Sequence, residues 1–203
     1  MKKEYVMVFR RDLLDDIGSF SGITCDMTYI SKLRSEILDN KNYSFMDRAK
    51  AEDDIRYKQV IPYCLIKFRD SIFSYCRGKL LSEKRLLKKY SIGVGGHVSS
   101  EDPSLFDNAY DFGLKREIQE EVDIESGYTN NFVALINDDS NDVGKVHIGF
   151  VHILELNDEK IQARQQSIND AKLLSIEYIS SRIERYENWS KLCIEKLPDL
   201  IKS

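Results

Sequence analysis

The sequence contains few of the features that would indicate a secreted or membrane-bound protein. Its 203 residues include only three prolines, and no Gly/Ser-rich tract divides the chain. No apolar run reaches the roughly 18 residues of a membrane-spanning helix, so we expect no membrane span. The chain starts with a charged segment that leads directly into an apolar stretch with no small-residue cleavage site, so we expect no signal peptide. We therefore expect a soluble protein of the cytoplasm.

Cysteine is also scarce, and its spacing excludes two kinds of site. The four cysteines show neither a CxxC pair nor a Cys/His pairing. Such spacing is not typical of a zinc site or a disulfide framework, and it favours buried thiols in a reducing compartment. The four are Cys25, Cys64, Cys76 and Cys193.

An excess of positive charge is missing as well. The formal net charge is −4 and the isoelectric point is about 5.5. Because coating nucleic acid requires an excess of Lys and Arg, we expect no stable nucleic-acid partner. A small phosphate-bearing ligand is allowed if a metal or local cations offset its charge. A homodimer is left open, since dimers are the commonest oligomers.

The pattern of apolar residues predicts alternating strands and helices. We expect a strand at 5–9, a helix at 27–38 and a hairpin formed by 60–68 and 71–76, whereas residues 41–58 show no clear period. Further along we expect a strand with a glycine turn at 91–98, a helix at 110–122, strands at 132–136 and 145–156, and a helix at 183–197. This order indicates an α/β (α+β) fold. We place the main domain at residues 58–203, with residues 1–57 as an extension packed on it.

The helix at 110–122 combines an apolar stripe with clustered carboxylates. Leu114, Ile118 and Val122 follow one another at intervals of four and would face a core. Three glutamates lie along one edge of the same helix: Glu117, Glu120 and Glu121.

Like charges at this spacing destabilise an isolated helix by a few tenths of a kcal/mol per pair, roughly. Mg²⁺ or Mn²⁺ would offset that repulsion, because both prefer oxygen ligands. Arg116 is placed to hold one carboxylate through a charge-assisted hydrogen bond. Taken alone, the run is more typical of a solvated helix that serves only solubility.

A glycine turn upstream favours the functional interpretation. Gly93, Gly95 and Gly96 follow a strand, where glycine allows close backbone approach or positive φ. The complete pattern is much rarer than the glycine turn or the acidic helix alone. It consists of a strand, a glycine turn, a loop and an acidic helix.

These residues resemble the Nudix box, G-x5-E-x7-R-E-U-x-E-E-x-G-U, in which U is aliphatic. Gly96 matches the first glycine, residues 116–121 (REIQEE) match the R-E-U-x-E-E core, and Ile124 matches the last aliphatic residue. Residues 58–63, 91–98 and 186–190 resemble the surroundings of the box in an unassigned bacterial subgroup of Nudix-like phosphoesterases. The resemblance covers about residues 58–200.

The resemblance implies a mixed β-sheet sandwiched between helices and a Mg²⁺-dependent hydrolase, with Mn²⁺ as an alternative ion. The implied reaction is attack of water on a phosphoanhydride in a nucleoside diphosphate-linked substrate. Glu120 and Glu121 would be the main metal ligands, Glu117 a ligand or base, and Arg116 an orienting residue. Gly95, Gly96 and His97 would bind the substrate.

The chain departs from the box at three places. Asn108 stands where the first glutamate is expected, Asp123 replaces the late glycine, and eleven residues rather than five separate Gly96 from Asn108. The departures favour an alternative function, a Nudix-fold module that binds a nucleotide without cleaving it. The long loop offers three candidates to replace the missing glutamate, and the sequence does not select among them: Glu101, Asp102 or Asp107.

Several other residues have two interpretations. His97 either reaches a phosphate or metal or is a satisfied strand residue, and His147 and His152 are expected on opposite faces of their strand. Asp138 and Asp139 are either a solvated turn or weak candidates for a general base.

The aromatic residues and the basic segment also have two interpretations each. Trp189 and Tyr186 either stack a base or pack in the core. The basic segment is either a polyphosphate-binding or RNA-binding stretch or a solvated connector. It comprises Lys79, Lys84, Arg85, Lys88 and Lys89.

Overall fold

The computed structural model of the protein describes residues 3–77, 89–101, 108–164 and 168–202. In chain order its strands are β1 (Tyr5–Arg10), β2 (Gly22–Thr24), β3 (Tyr43–Asp47), β4 (Tyr57–Phe68), β5 (Ser71–Arg77), β6 (Tyr90–Ser91), β7 (Gly93–Val94), β8 (Val122–Ile124), β9 (Tyr128–Asn137), β10 (His147–Leu156), β11 (Ile161–Ala163) and β12 (Ile168–Ser175). The helices are α1 (Asp12–Ile17), α2 (Met27–Ile37), α3 (Arg48–Ala51), α4 (Ala109–Glu121), α5 (Asp142–Lys145), α6 (Ile176–Ser180) and α7 (Asn188–Leu200). The expected α+β class, helices with a large sheet, is confirmed.

The described residues form two compact units. The first comprises residues 3–62, 96–101, 108–115 and 133–151, and the second comprises residues 63–77, 89–95, 116–132, 152–164 and 168–202. Strands β4, β9 and β10 and helix α4 contribute residues to both. The boundary at 57/58 between an extension and a main domain stays a prediction.

In the first unit, β1 pairs in antiparallel fashion with β3 and with β4, and Val8 lies opposite Gln59 in the second pairing. The strand order then runs from β4 through β10 and β9 to β2. The expected inner face of α2 is confirmed, because Ile30, Leu33 and Ile37 are fully buried. Val6, Val8 and Ala51 form a buried cluster beside β3 and β4, with the partly buried Met46 and Tyr57 packed against it.

In the second unit, β4 and β5 form the expected hairpin, with Phe68 opposite Ser71. Arg69 in its turn has a φ of 49°, the left-handed conformation that a two-residue hairpin turn requires. The strand β12 pairs with the other edge of β5, β6 adds to β5, and β7 adds to β4. The short strands β8 and β11 form a separate antiparallel pair.

Several expected element boundaries were wrong: the strand expected at 132–136 covers Tyr128–Asn137, and the one expected at 91–98 is replaced by β6 and β7. Two further differences have a clear local cause. The C-terminal helix was expected from residue 183, but a 3-10 helix covers Ile183–Arg185 and α7 starts at Asn188. The reason is Glu187, whose carboxylate caps α7 by accepting from the backbone N–H groups of Trp189 and Ser190. The strand expected from Lys145 starts at His147, since Asn141 caps α5 and Lys145 ends it.

Residues 41–58, in which no clear period was visible, contain β3, α3 and the start of β4. All four cysteines are thiols, and Cys64 and Cys193 are buried as expected, whereas Cys25 and Cys76 are only half-buried. In the described ranges, no helix is long and apolar enough to cross a membrane.

Candidate functional site

The glutamate-bearing helix α4 begins at a polar cap. The side-chain oxygen of Asn108 accepts a hydrogen bond from the backbone N–H of Asp111 at 2.9 Å, as an N-cap residue does. Leu114, Ile118 and Val122 are 2–3% exposed, which confirms the apolar stripe. Asn108, at the position of the first glutamate of the Nudix box, therefore has a structural role in starting the helix.

Within the second unit, Arg116 lies between two of the carboxylates. Its Nη1 donates to Glu117 Oε1 at 2.8 Å and lies 3.3 Å from Glu120 Oε1. The Glu117 side chain is 14% exposed, whereas that of Glu120 is 50% exposed. The guanidinium thus offsets the repulsion between the two negative charges and limits the positions of both side chains.

The charges of Glu117 and of the half-buried Glu121 act on the thiol of Cys64 on β4. Burial raises the pKa of the Cys64 thiol, and the charges of Glu121 and Glu117 raise it further. These two carboxylates therefore lie on the side of α4 nearer to β4, while Glu120 reaches further into solvent. A shared ion would be approached from the Glu120 side.

The C-terminal end of α4 is closed by Arg164. Its backbone N–H donates to Glu121 O and its guanidinium donates to Gln119 O, each at 2.9 Å. Its Nη2 also lies 3.8 Å from Asp123 Oδ1. Asp123 belongs to β8, opposite Gln162 on β11, so the position of the late glycine is occupied here by an ordinary strand residue.

The glycine strand packs on a buried tyrosine. A Cβ added at Gly93 would lie 2.0–2.3 Å from three carbon atoms of the Tyr63 ring. Gly93 O also accepts the Tyr75 hydroxyl at 2.7 Å. The expected close approach at this glycine is confirmed, and Gly95, two residues on, has a φ of 152°.

We expect Gly93→Ala to lower the free energy of unfolding by about 1–3 kcal/mol, because the added methyl group overlaps a ring that has no room to move. The Tyr63 hydroxyl donates to Glu187 Oε1 at 2.5 Å and lies 2.8 Å from Ser190 Oγ. The shift of the urea denaturation midpoint measures the effect.

The matched control is Gly127→Ala in the same unit. Its Cβ would lie 2.7 Å from the amide nitrogen of Asn157, the end of an exposed side chain that can rotate away. We expect a change below about 0.5 kcal/mol. Equal midpoints for the two variants would contradict the close packing at Gly93.

In the first unit, His97 contacts a second histidine. His97 Nε2 lies 3.2 Å from His147 Nε2, and the two rings meet at an interplanar angle of 63°. His147 Nδ1 lies 2.6 Å from Val143 O, and burial lowers the pKa of His147. Glu52 completes the group, since one ligand atom from each of the three residues lies within 4.8 Å of the others.

The remaining histidine has different neighbours. His152 Nδ1 lies 2.8 Å from Asn130 Oδ1, and its ring packs against Phe132.

The acidic loop after β9 is part of an ion-pair network. Asp139 accepts from Lys58 Nζ at 2.9 Å and also pairs with Arg11. Burial raises the pKa of Asp139, but the hydrogen bond and charge of Lys58 and the charge of Arg11 outweigh this, so the net pKa is lowered. Asp138 accepts from the backbone N–H of Ser140. A carboxylate held with a lowered pKa is a weak general base, so Asp139 is not favoured for that role.

The C-terminal aromatic residues pack against other side chains of the second unit. Trp189 meets the Tyr63 ring edge-on at 5.6 Å, and the buried Tyr186 has its hydroxyl 3.0 Å from Ser74 Oγ. These contacts favour packing over the stacking of a base.

Several candidates from the sequence lie outside the described residues. They are Asp102, Asp107, Lys79, Lys84, Arg85 and Lys88. Glu101 is described; it is exposed, and its backbone N–H donates to Ser99 Oγ at 3.2 Å.

Sequence reasoning missed Glu52, Lys58 and Glu187. Glu52 and His147 come from separate parts of the chain, so no local spacing could link them. Glu187 carried a recognisable signal, because an acidic residue before an apolar period is typical of a helix start.

Comparison with known proteins shows likeness over nearly the whole chain. The protein YmaB of Bacillus subtilis (strain 168) is 32% identical over 196 residues, which cover 94% of this chain and 92% of YmaB. The structure of Tm1382, described as a candidate Nudix hydrolase, matches with a TM-score of 0.77 and 26% identity over 96% of this chain and 98% of Tm1382. No family model matches the chain.

A more distant match shows the fold alone. It is the bifunctional NMN adenylyltransferase/ADP ribose pyrophosphatase of Francisella tularensis, solved with AMP and a manganese ion. The match has a TM-score of 0.50 and 15% identity, and it covers 70% of this chain and 41% of that chain.

Proposed function

The chain belongs to the Nudix hydrolase family, and from that premise we propose that it is a Mg²⁺-dependent hydrolase of a nucleoside diphosphate-linked substrate. The observation that carries the proposal is the contact of Arg116 with both Glu117 and Glu120, beside Glu121 on the same helix. A helix that serves only solubility has no need to hold two of three crowded carboxylates through one arginine.

The residues on this helix fit a divalent ion. Nudix hydrolases generally use divalent metals, and three carboxylates offer the oxygen ligands that Mg²⁺ and Mn²⁺ prefer. Glu120 is half exposed, so a hydrated ion can reach it from solvent. Glu120 and Glu121 would be the main ligands, with Glu117 assisting. When bound, Mg²⁺ supplies positive charge that offsets the diphosphate oxygens and makes water more acidic.

The chain's own residues supply orientation and a base. Arg116 fixes the rotamer of Glu117 through the 2.8 Å hydrogen bond, which places one carboxylate in a constant position. Of Arg116, Glu117 and Glu120, Glu117 has the least exposed side chain. It is the proposed acceptor of the proton from the attacking water. Positioning and electrostatics of this kind account for most of the rate in phosphoryl transfer.

The proposed substrate-binding residues are Gly95, Gly96 and His97. The two glycines are half-buried and carry no side chain, so a phosphate group can approach their backbone closely.

The alternative function is a nucleotide sensor without turnover, and the departures from the box at Asn108 and Asp123 are the features that favour it. Both have structural roles here, as a helix cap and as a strand residue, so neither substitution by itself argues for lost activity. The intact set of three glutamates on α4 favours the hydrolase over the sensor.

A panel assay separates the two functions. The full chain would be incubated with Mg²⁺ and with nucleotide sugars, dinucleotides and 5′-triphosphate RNA, and phosphate would be assayed after phosphatase treatment. We expect turnover of at least one nucleoside diphosphate-linked member. Tight binding of a member with no turnover of any would support the sensor instead.

A further inference from the structure

The histidine pair in the first unit has the spacing of two ligands of one metal ion. Zn–N bonds of about 2.0–2.1 Å at a tetrahedral angle place two nitrogens about 3.3–3.4 Å apart. The Nε2 atoms of His97 and His147 are 3.2 Å apart. We propose that Glu52, His97 and His147 bind a transition-metal ion, Zn²⁺ in the first instance. This would be a second metal site in addition to the one proposed on the glutamate helix.

The hydrogen bond on the far side of His147 prepares its ring for this role. Nδ1 lies 2.6 Å from the carbonyl oxygen of Val143, which can only accept, so the proton belongs on Nδ1. In the neutral ring, Nε2 then carries the lone pair that a metal needs. Metal-binding histidines usually have such a partner, because it fixes both the tautomer and the ring orientation.

Glu52 supplies the third ligand. Its Oε1 lies 4.0 Å from His147 Nε2, so a short movement of the side chain brings it within the reach of a shared ion. Glu52 is 37% exposed, and its pairing with Arg48 at 3.5 Å is of the half-exposed i, i+4 type, worth about 0.3–0.5 kcal/mol. That pairing is too weak to hold the carboxylate away from a doubly charged ion.

The ligand set selects the kind of ion. Two imidazoles and one carboxylate suit Zn²⁺ and its first-row neighbours, whereas Mg²⁺ prefers oxygen ligands alone. Three protein ligands leave a fourth tetrahedral position for water or an anionic group. The site therefore has the composition of an open Zn²⁺ site.

The test measures metal binding rather than activity. The full chain, stripped with a chelator, would be titrated with Zn²⁺ by calorimetry and with Co²⁺ by visible spectroscopy. We expect one equivalent of each ion and the absorption typical of tetrahedral Co²⁺. His97→Gln and His147→Gln should each weaken binding at least about 100-fold, and Glu52→Gln at least about 10-fold.

The chain offers a matched control, because it contains only three histidines. His152→Gln removes the one that contacts Asn130 instead, and its affinity for Zn²⁺ should equal that of the wild type. Glu120→Gln should also bind Zn²⁺ normally, which separates this proposal from the metal site on α4. If His147→Gln fails to fold, His97→Gln and Glu52→Gln still test the proposal, because both residues are less buried than His147.

Three results would overturn the proposal. One is no binding of Zn²⁺ by the wild type at 100-fold excess, in which case the histidines share a hydrogen bond and no metal. The second is unchanged affinity in both His97→Gln and Glu52→Gln. The third is a sulfur-to-cobalt charge-transfer band, which would assign the ion to a cysteine.

Discussion

Replacement of Glu120 by Gln is expected to lower kcat at least about 100-fold, equivalent to about 2.7 kcal/mol of transition-state stabilisation. Gln keeps the size of the side chain but removes the negative charge that the proposed metal ion needs. It also replaces the ion pair with Arg116 Nη1 by a contact between a charged guanidinium and a neutral amide. Steady-state kinetics with the best substrate of the panel measures the loss.

The control is Glu125→Gln, the same chemical change at an exposed glutamate that directly follows β8. We expect its kcat to stay within about twofold of the wild-type value, and both variants should keep the wild-type circular dichroism spectrum and thermal midpoint. A Glu120→Gln enzyme with an unchanged rate would refute the assignment of Glu120 as a ligand.

Asp139→Asn is expected to lower the free energy of unfolding by about 3–5 kcal/mol. Lys58 has a fully buried side chain, and its Nζ bonds to Asp139 Oδ1, Gly144 O and His147 O. Burial lowers the pKa of Lys58, and the hydrogen bond and charge of Asp139 oppose that shift. The variant would leave a buried ammonium group with carbonyl partners but without this carboxylate.

Urea denaturation followed by fluorescence measures this loss. The matched control is Asp142→Asn, which breaks the 3.0 Å pair with Lys145 at a side chain that is 84% exposed. Exposed pairs contribute little, so we expect a change below about 0.5 kcal/mol. If Asp139→Asn were as stable as that control, the carboxylate would not be what makes the burial of Lys58 tolerable.

The elements that the sequence predicted well are those with a strong local period. The hairpin β4–β5 and the inner face of α2 follow from apolar spacing, and the structure confirms both. The stripe on α4 was predictable for the same reason. In these segments the burial of one face determines the conformation, and that information is local.

The elements that could not be predicted depend on contacts between distant parts of the chain. Lys58 stands in an apolar strand, yet its burial depends on Asp139, 81 residues away. His97 and His147 are 50 residues apart, and neither has a ligand-like neighbour in sequence. Periodicity carries no information about such pairs.

The residues that depart from the Nudix box also show the limit of reading a motif alone. The motif indicated a missing ligand at Asn108 and a missing glycine at Asp123. In the structure Asn108 caps α4 and Asp123 lies in a strand, so both positions are filled by residues that suit the local backbone.

The Mg²⁺ dependence of turnover tests the central claim most directly. It would be measured with the wild type and with Glu120→Asp, which keeps the charge but shortens the reach of the carboxylate. We predict no turnover in EDTA, recovery on adding Mg²⁺, and a half-saturating Mg²⁺ concentration at least about tenfold higher in the variant. Turnover that persists in EDTA, or identical Mg²⁺ curves for the two proteins, would contradict a metal-dependent hydrolase centred on this helix.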